Sequence, residues 1–269
     1  MLLLLYLGFI AGIYLLLLYP SRPKKDTAVP FQGRNYAHRG LYRCDQTIPE
    51  NSLVAFRLAV EAGYGIELDL QLSRDGDVVV FHDDSLSRIC GVPGNVSDYG
   101  TEELRHFCLF ETEEGIPLFS EVLRLINGRV PMIIEFKTSE RNTLLCKKAI
   151  AELDTYHGPY CIESFDPRIL LWFRRNRPNI LRGQLACNRK KYGGKTNPLF
   201  AFFASRCLLN FISKPNFIAY EIGKKPFSVR LSELLGAIPV CWTSHYPENE
   251  IQNDMVIFEY YHPKTHYRI

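Results

Sequence analysis

The sequence predicts an α/β fold, a TIM-type (β/α)₈ barrel with a small insertion and an N-terminal transmembrane helix. Three observations predict it. Strand-like runs alternate with amphipathic helical runs from residue 35 onward. The strand candidates number near eight, with one to spare, which favours a closed barrel over an open doubly wound sheet. Residues 1–19, MLLLLYLGFIAGIYLLLLY, carry no charged side chain. The chain has 269 residues and is 46% hydrophobic, enough for one substantial core.

The elements follow in order. As a helix, residues 1–19 span roughly 28 Å, close to a bilayer core. The basic n-region of a signal peptide is missing, and no small-x-small cleavage site follows Pro20. Residues 1–20 are therefore expected as an uncleaved single-pass anchor. Arg22, Lys24 and Lys25 follow it, and the positive-inside rule then places the catalytic domain in the cytoplasm. Residues 21–34, with Pro23 and Pro30, read as a linker, and residues 35–269 as the barrel domain.

NYAH is a first strand. NSLVAFRLAVEAG is a helix with Leu53, Phe56 and Val60 on one face and Gly63 as its stop. GIELDLQL alternates, with Ile66, Leu68, Leu70 and Leu72 on one side and Glu67, Asp69 and Gln71 on the other. Asp75-Gly76 marks a hairpin before the VVVF run. Beyond it VPMIIEFK, PYCIESF, NILRGQLA, FIAYEI, IPVCWTS and MVIFEYY read as strands. IPLFSEVLRLI, ERNTLLCKKAIAEL, DPRILLWFRR and VRLSELLG read as the helices between them.

Net charge is +3, which argues for no particular partner, and no zinc-finger, RNA-binding or P-loop pattern occurs. Neither nucleic acid nor a protein partner is expected. Eight cysteines without a CxxC read as free thiols in a reducing compartment, and the even count leaves disulfides open.

Ionisable residues cluster at strand ends: His38-Arg39, Glu67 with Asp69, His82-Asp83, and Glu135 with Lys137. Any one pair fits a solvated sheet face. All four together do not, because helices cover the outside of a barrel and the remaining side chains point inward. Buried carboxylates need compensation, and a hard cation supplies it. Glu67, Asp69 and Glu135 suit Mg²⁺ or Ca²⁺; without a thiolate or a close histidine cluster, Zn²⁺ fits less well. Histidines titrate near neutrality and suit acid-base work on a phosphate ester, with Arg39 and Lys137 balancing phosphoryl charge.

In sequence order these motifs are HRG at 38–40, PEN at 49–51, ELD at 67–69, DG at 75–76, HD at 82–83, EFK at 135–137, SF at 164–165 and WT at 242–243. The set closely resembles the glycerophosphodiester phosphodiesterase family. The resemblance implies a barrel enzyme that splits glycerophosphodiesters into glycerol 3-phosphate and an alcohol. It implies a divalent metal on Glu67, Asp69 and Glu135, with His38 and His82 as the acid-base pair acting through a cyclic phosphate. Arg39 would grip phosphate, Lys137 would lie in the phosphate site and Trp242 at its rim. Asn51 either supports the site or caps the following helix. Phe165 either lines the site or packs. Residues 85–117 resemble the family's insertion after its His-Asp motif. Two departures stand out: Ser244-His245 where the family places an asparagine, and DMVIFEYYHPKTHYRI in place of a Gly-rich strand with an aspartate.

Residues 174–212 are basic and then strongly apolar. They form either an ordinary packed segment or an interfacial one, in which Lys190 and Lys191 meet lipid headgroups and Phe200, Phe202 and Phe203 dip in. The second reading makes membrane lipid a partner and lysophospholipid a substrate. Two functional alternatives remain: a phospholipase-type phosphodiesterase acting on lysophospholipids or sphingolipids, and a membrane-anchored, non-enzymatic binding module.

Overall fold

The computed structural model describes residues 1–193 and 196–268. Gly194 and Lys195, within the basic-apolar stretch, and Ile269, the last residue of the barrel domain, lie outside the described residues. Among the described residues, nine strands form one sheet: β1 (Arg34–Ala37), β2 (Gly65–Leu72), β3 (Val78–Val80), β4 (Met132–Phe136), β5 (Tyr160–Ser164), β6 (Arg182–Ala186), β7 (Phe217–Glu221), β8 (Ile238–Ser244) and β9 (Met255–Phe258). Eight are parallel and form a closed ring in the order β1-β9-β8-β7-β6-β5-β4-β2, in which β1 pairs with both β9 and β2. The spare strand is β3, an antiparallel partner of β2 that sets Val80 opposite Leu70. Gly76 in the connecting turn takes a positive φ of 91°, which glycine adopts without strain.

The period-2 pattern decides the layers. Leu68 and Leu70 of β2, with Ile134 and Phe136 of β4, pack outward against Phe56, Val122 and Leu145 of the surrounding helices. Tyr36, Ile133, Phe217, Val240 and Ile257 form an interior cluster, which Ala28 and Phe31 of the 21–34 segment join. The Tyr36 hydroxyl donates to the Phe31 carbonyl at 2.8 Å. Large rings fill this interior because small residues face them. A Cβ on Gly183 would lie 1.9 Å from the Phe217 ring. The helix Leu53–Ala62 starts at Ser52, whose side chain accepts from the Ala55 N–H, and stops at Gly63 in the left-handed region.

The transmembrane expectation is corrected, and with it the single-pass topology and the cytoplasmic placement drawn from it. Among the described residues no helix is long and apolar enough to cross a membrane. The N-terminal helix runs Leu2–Leu18, 17 residues, or about 26 Å against a hydrocarbon core of about 30 Å. It stops short of the apolar run because Tyr19 precedes Pro20 and turns extended, with ψ 115°. Its last turn is also occupied with the barrel. Leu18 is buried and its carbonyl accepts from Asn210 and Ser232, while the Tyr19 carbonyl accepts from Lys214.

The insertion after β3 is ordered by packing. Leu86, Ile89, Val96, Leu104, Leu109 and Ile116 form a small core of their own with Val79 and Phe81. Of the three phenylalanines considered for lipid contact, Phe202 and Phe203 are half-buried. The Arg206 guanidinium sits 4.1 Å over the Phe202 ring, and Phe203 meets that ring edge-on at 5.6 Å. The interior packing predicts that Gly183→Ala lowers the unfolding free energy by about 1–3 kcal/mol, because the Phe217 ring must move. Urea denaturation of wild type and variant measures this.

Candidate active site

Strand register brings the acids together. In the parallel ladder Asp69 of β2 lies beside Glu135 of β4, and Glu135 lies beside Glu163 of β5. Glu67 is two residues before Asp69 and faces the same way. Glu67, Asp69 and Glu135 are all buried, and one carboxylate oxygen from each lies within 4.8 Å of the others. Burial raises Glu67 well above the usual carboxylate range, with Asp69, Glu163 and Glu135 adding repulsion. Burial likewise pushes Glu135 up to about 7, against the pull of Lys137. Asp69 is buried too, yet Lys137, His82, Arg39 and Asn51 hold it low. A set of hard oxygen donors that repel one another fits a divalent cation. The buried Asn51 Oδ1, which has no hydrogen-bond partner, is a further oxygen beside the cluster.

The basic groups close around these acids. Lys137 Nζ is 3.2 Å from Asp69 and 2.9 Å from Glu135. The Arg39 backbone N–H donates to Glu67 at 3.0 Å, and its guanidinium donates to Glu50 at 2.7 Å. Arg39 Nε, buried and without a hydrogen-bond partner, lies 3.6 Å from Asp69. Asn51 is not the helix cap, a role taken by Ser52. It sits at a φ of 55° and donates to Asp69 Oδ2 at 2.8 Å. Arg39 also has a positive φ, 52°. Such backbone strain costs about 1–3 kcal/mol per residue and persists where the surroundings fix it.

Both histidines are oriented through Nδ1. A carboxylate only accepts, so the Nδ1–H of His38 donates to Glu259 (2.7 Å) and that of His82 to Asp83 (2.6 Å). The other nitrogen of His38 lies 3.9 Å from Glu67. Burial lowers the pKa of both imidazoles.

Sequence reasoning missed the partners that hold this arrangement. Glu259 follows β9 and accepts from His38, from Tyr42 at 2.8 Å and from His245 at 2.9 Å. Burial alone would raise its pKa, but these donors hold it at about 2. Arg88, in the insertion, donates to both Asp83 and Glu50. Glu163 is fully buried beside Glu135 and is raised by that burial. One signal for Glu259 was in the sequence: it is an acid at the C-terminal end of the last strand, the position at which the other site residues occur.

At the barrel mouth a cavity of ≈ 1070 Å³ is lined at its base by Arg39 and His82. Phe165 and Trp242 meet edge-on in its wall, with centroids 5.9 Å apart. The Trp242 indole N–H is held by the carbonyls of Ala186 and Ala219, each at 3.2 Å.

The sequence profile of the glycerophosphoryl diester phosphodiesterase family matches residues 38–259, a range that opens on His38 and closes on Glu259. The chain belongs to this family. Among curated relatives, a glycerophosphodiester phosphodiesterase of Bacillus altitudinis is 40% identical over 109 residues, covering 38% of this chain and 43% of the relative. A lysophospholipase D of Homo sapiens is 32% identical over 159 residues, covering 54% and 48%. The chain thus spans less than half the length of these relatives. A phosphodiesterase of Oleispira antarctica, solved with sn-glycerol-3-phosphate, shares the fold at a TM-score of 0.71 and 22% identity, covering 86% of this chain and 94% of that one. The glycerophosphodiester phosphodiesterase of Thermotoga maritima does so at 0.61 and 24% identity, covering 83% and 93%.

In this glycerophosphoryl diester phosphodiesterase family member, the two departures in the sequence meet in space, since His245 and Glu259 are hydrogen-bonded. Glu259→Gln is expected to lower the unfolding free energy by about 1–3 kcal/mol at neutral pH, through lost charge-assisted bonds. Because Glu259 is depressed from 4.5 to about 2 in the folded protein, its contribution is complete above pH 4.5 and is lost as pH falls through about 2. The gap between variant and wild type in urea titrations should therefore narrow steadily below pH 4.5.

Proposed function

We propose that this protein hydrolyses glycerophosphodiesters to glycerol 3-phosphate and an alcohol with the help of a divalent cation, Mg²⁺ or Ca²⁺. The observation that carries the reading is the convergence of Glu67, Asp69 and Glu135 on one point, between two imidazoles that are each oriented by a carboxylate. A hard cation held by the three carboxylates supplies positive charge that offsets the charge of the phosphoryl oxygens.

The chain's own residues do the rest. With Nδ1–H committed to Glu259, His38 presents an unprotonated Nε2 as base to the substrate's glycerol hydroxyl. That hydroxyl attacks phosphorus, and being tethered it outcompetes bulk water. His82 protonates the departing alkoxide. Asp83 stabilises the charged imidazole, and the phosphate's own charge offsets the depression caused by burial. A cyclic phosphate results; the roles then reverse, and water opens the ring. Arg39 Nε, which has no hydrogen-bond partner, and the Lys137 ammonium are placed for phosphoryl oxygens, while Asn51 keeps Asp69 in place.

His38→Ala is expected to lower kcat on glycerophosphocholine by about 10²–10⁴-fold, the usual share of general acid-base catalysis. Chelation should abolish glycerol 3-phosphate release, and added Mg²⁺ or Ca²⁺ should restore it. Full activity after chelation, or in Glu67→Ala/Asp69→Ala/Glu135→Ala, refutes the proposal.

A further inference from the structure

The contact that orients His82 is itself held from the insertion. His82 and Asp83 follow β3 and lie outside any strand or helix, so the sheet ladder does not fix them. The Asp83 carboxylate is partly exposed and can turn about its own side-chain bonds. Its Oδ1 must nevertheless face the His82 Nδ1–H at 2.6 Å.

Arg88 removes that freedom. Its Nε–H donates to Asp83 Oδ2 at 2.7 Å and its Nη2–H to Oδ1 at 3.0 Å. Such a two-point grip sets the plane of a carboxylate as well as its position. The other edge of the guanidinium grips Glu50 in the same way, Nη2 to Oε1 at 2.8 Å and Nη1 to Oε2 at 3.1 Å. Glu50 is buried, so one planar group ties the mobile acid to an immobile one. Arg88 is placed in turn by the insertion's own packing. It stands on the short helix Ser87–Cys90, flanked by the core residues Leu86 and Ile89, with its guanidinium 5.7 Å from the centre of the Phe110 ring. Burial works against a charge on Asp83, but the bonds from His82 and Arg88 hold its pKa below the usual carboxylate range, so it remains an acceptor at neutral pH.

The direction of His82 matters in one step above all. As the glycerol hydroxyl bonds to phosphorus and gives its proton to His38, the bond from phosphorus to the alcohol oxygen breaks. That oxygen keeps the bonding pair and takes the proton from His82 Nε2. An imidazole turned away leaves it to depart as a bare alkoxide, a poor leaving group. We infer that Arg88 is a positioning residue for His82: by clamping Asp83 to the buried Glu50 it keeps the His82 Nε2–H aimed at the departing oxygen. This rests on the hydrolytic reading above and brings a residue of the insertion into it.

The test compares two esters of glycerol 3-phosphate whose alcohols differ in their need for a proton. Choline leaves readily only when protonated. p-Nitrophenol leaves as a stable anion, so its ester needs no general acid. For both, kcat/KM reports the first transfer. Arg88→Met should cost glycerophosphocholine about tenfold or more beyond what it costs the p-nitrophenyl ester. Whatever Arg88 does through Glu50 and Arg39 falls on both esters alike, so the excess is the share that passes through His82. Arg88→Lys, which keeps the charge without the fork, should show an excess in the same direction. In a His82→Ala background the excess should vanish, because residues that act as one unit do not add. Turnover of the p-nitrophenyl ester also reports that each variant has folded. Equal losses on the two esters, or an excess that persists without His82, overturn the inference and leave the hydrolytic reading standing. Wild type that releases glycerol 3-phosphate from neither ester removes both.

Discussion

Mutual repulsion among buried carboxylates is the constraint on which the site depends. Register places Asp69, Glu135 and Glu163 side by side on adjacent strands, with Glu67 close by. Isolated, such a row would be too costly to bury. Lys137 and Arg39 take part of the charge. Burial first, with the residual repulsion adding to it, raises Glu67 and Glu135 above the usual carboxylate range. A barrel is suited to this arrangement because hydrogen-bonded strands fix the spacing of the acids, which side chains alone would not.

The same backbone rigidity sets the two histidines. His38 follows β1 and takes its orientation from Glu259 after β9, the strand that pairs with β1 to close the barrel. His82 follows the β3 hairpin and is oriented by its neighbour Asp83. One imidazole therefore depends on barrel closure and the other on a local contact.

That difference explains what was legible in the sequence. Glu67 and Asp69, or Glu135 and Lys137, share a face because of period-2 alternation, a local property visible in eight letters. His82 and Asp83 are adjacent. Glu259 is 221 residues from His38, and no local pattern links them; only the closed sheet does. Asn51 was ambiguous because the cap lies one residue further on, at Ser52, a shift within the usual uncertainty of helix ends. The anchor was misread because apolar letters were counted through Tyr19, whereas the proline after it stops the helix at Leu18. Phe200 was less legible: its apolar character was visible, but its placement at the wall of the mouth cavity, still partly exposed, is decided by packing against distant elements.

Glu50 accepts from two guanidiniums at once, Arg39 of the site and Arg88 of the insertion. A negative charge divided between two positive neighbours holds each of them less firmly than it would hold one. With the insertion seated, Arg39 is accordingly on a looser tether and can turn toward an incoming anion. Without the Arg88 charge, Glu50 would hold Arg39 alone and compete more strongly with that anion. Through Arg88 the insertion thus also bears on how freely that arginine can be lent to substrate.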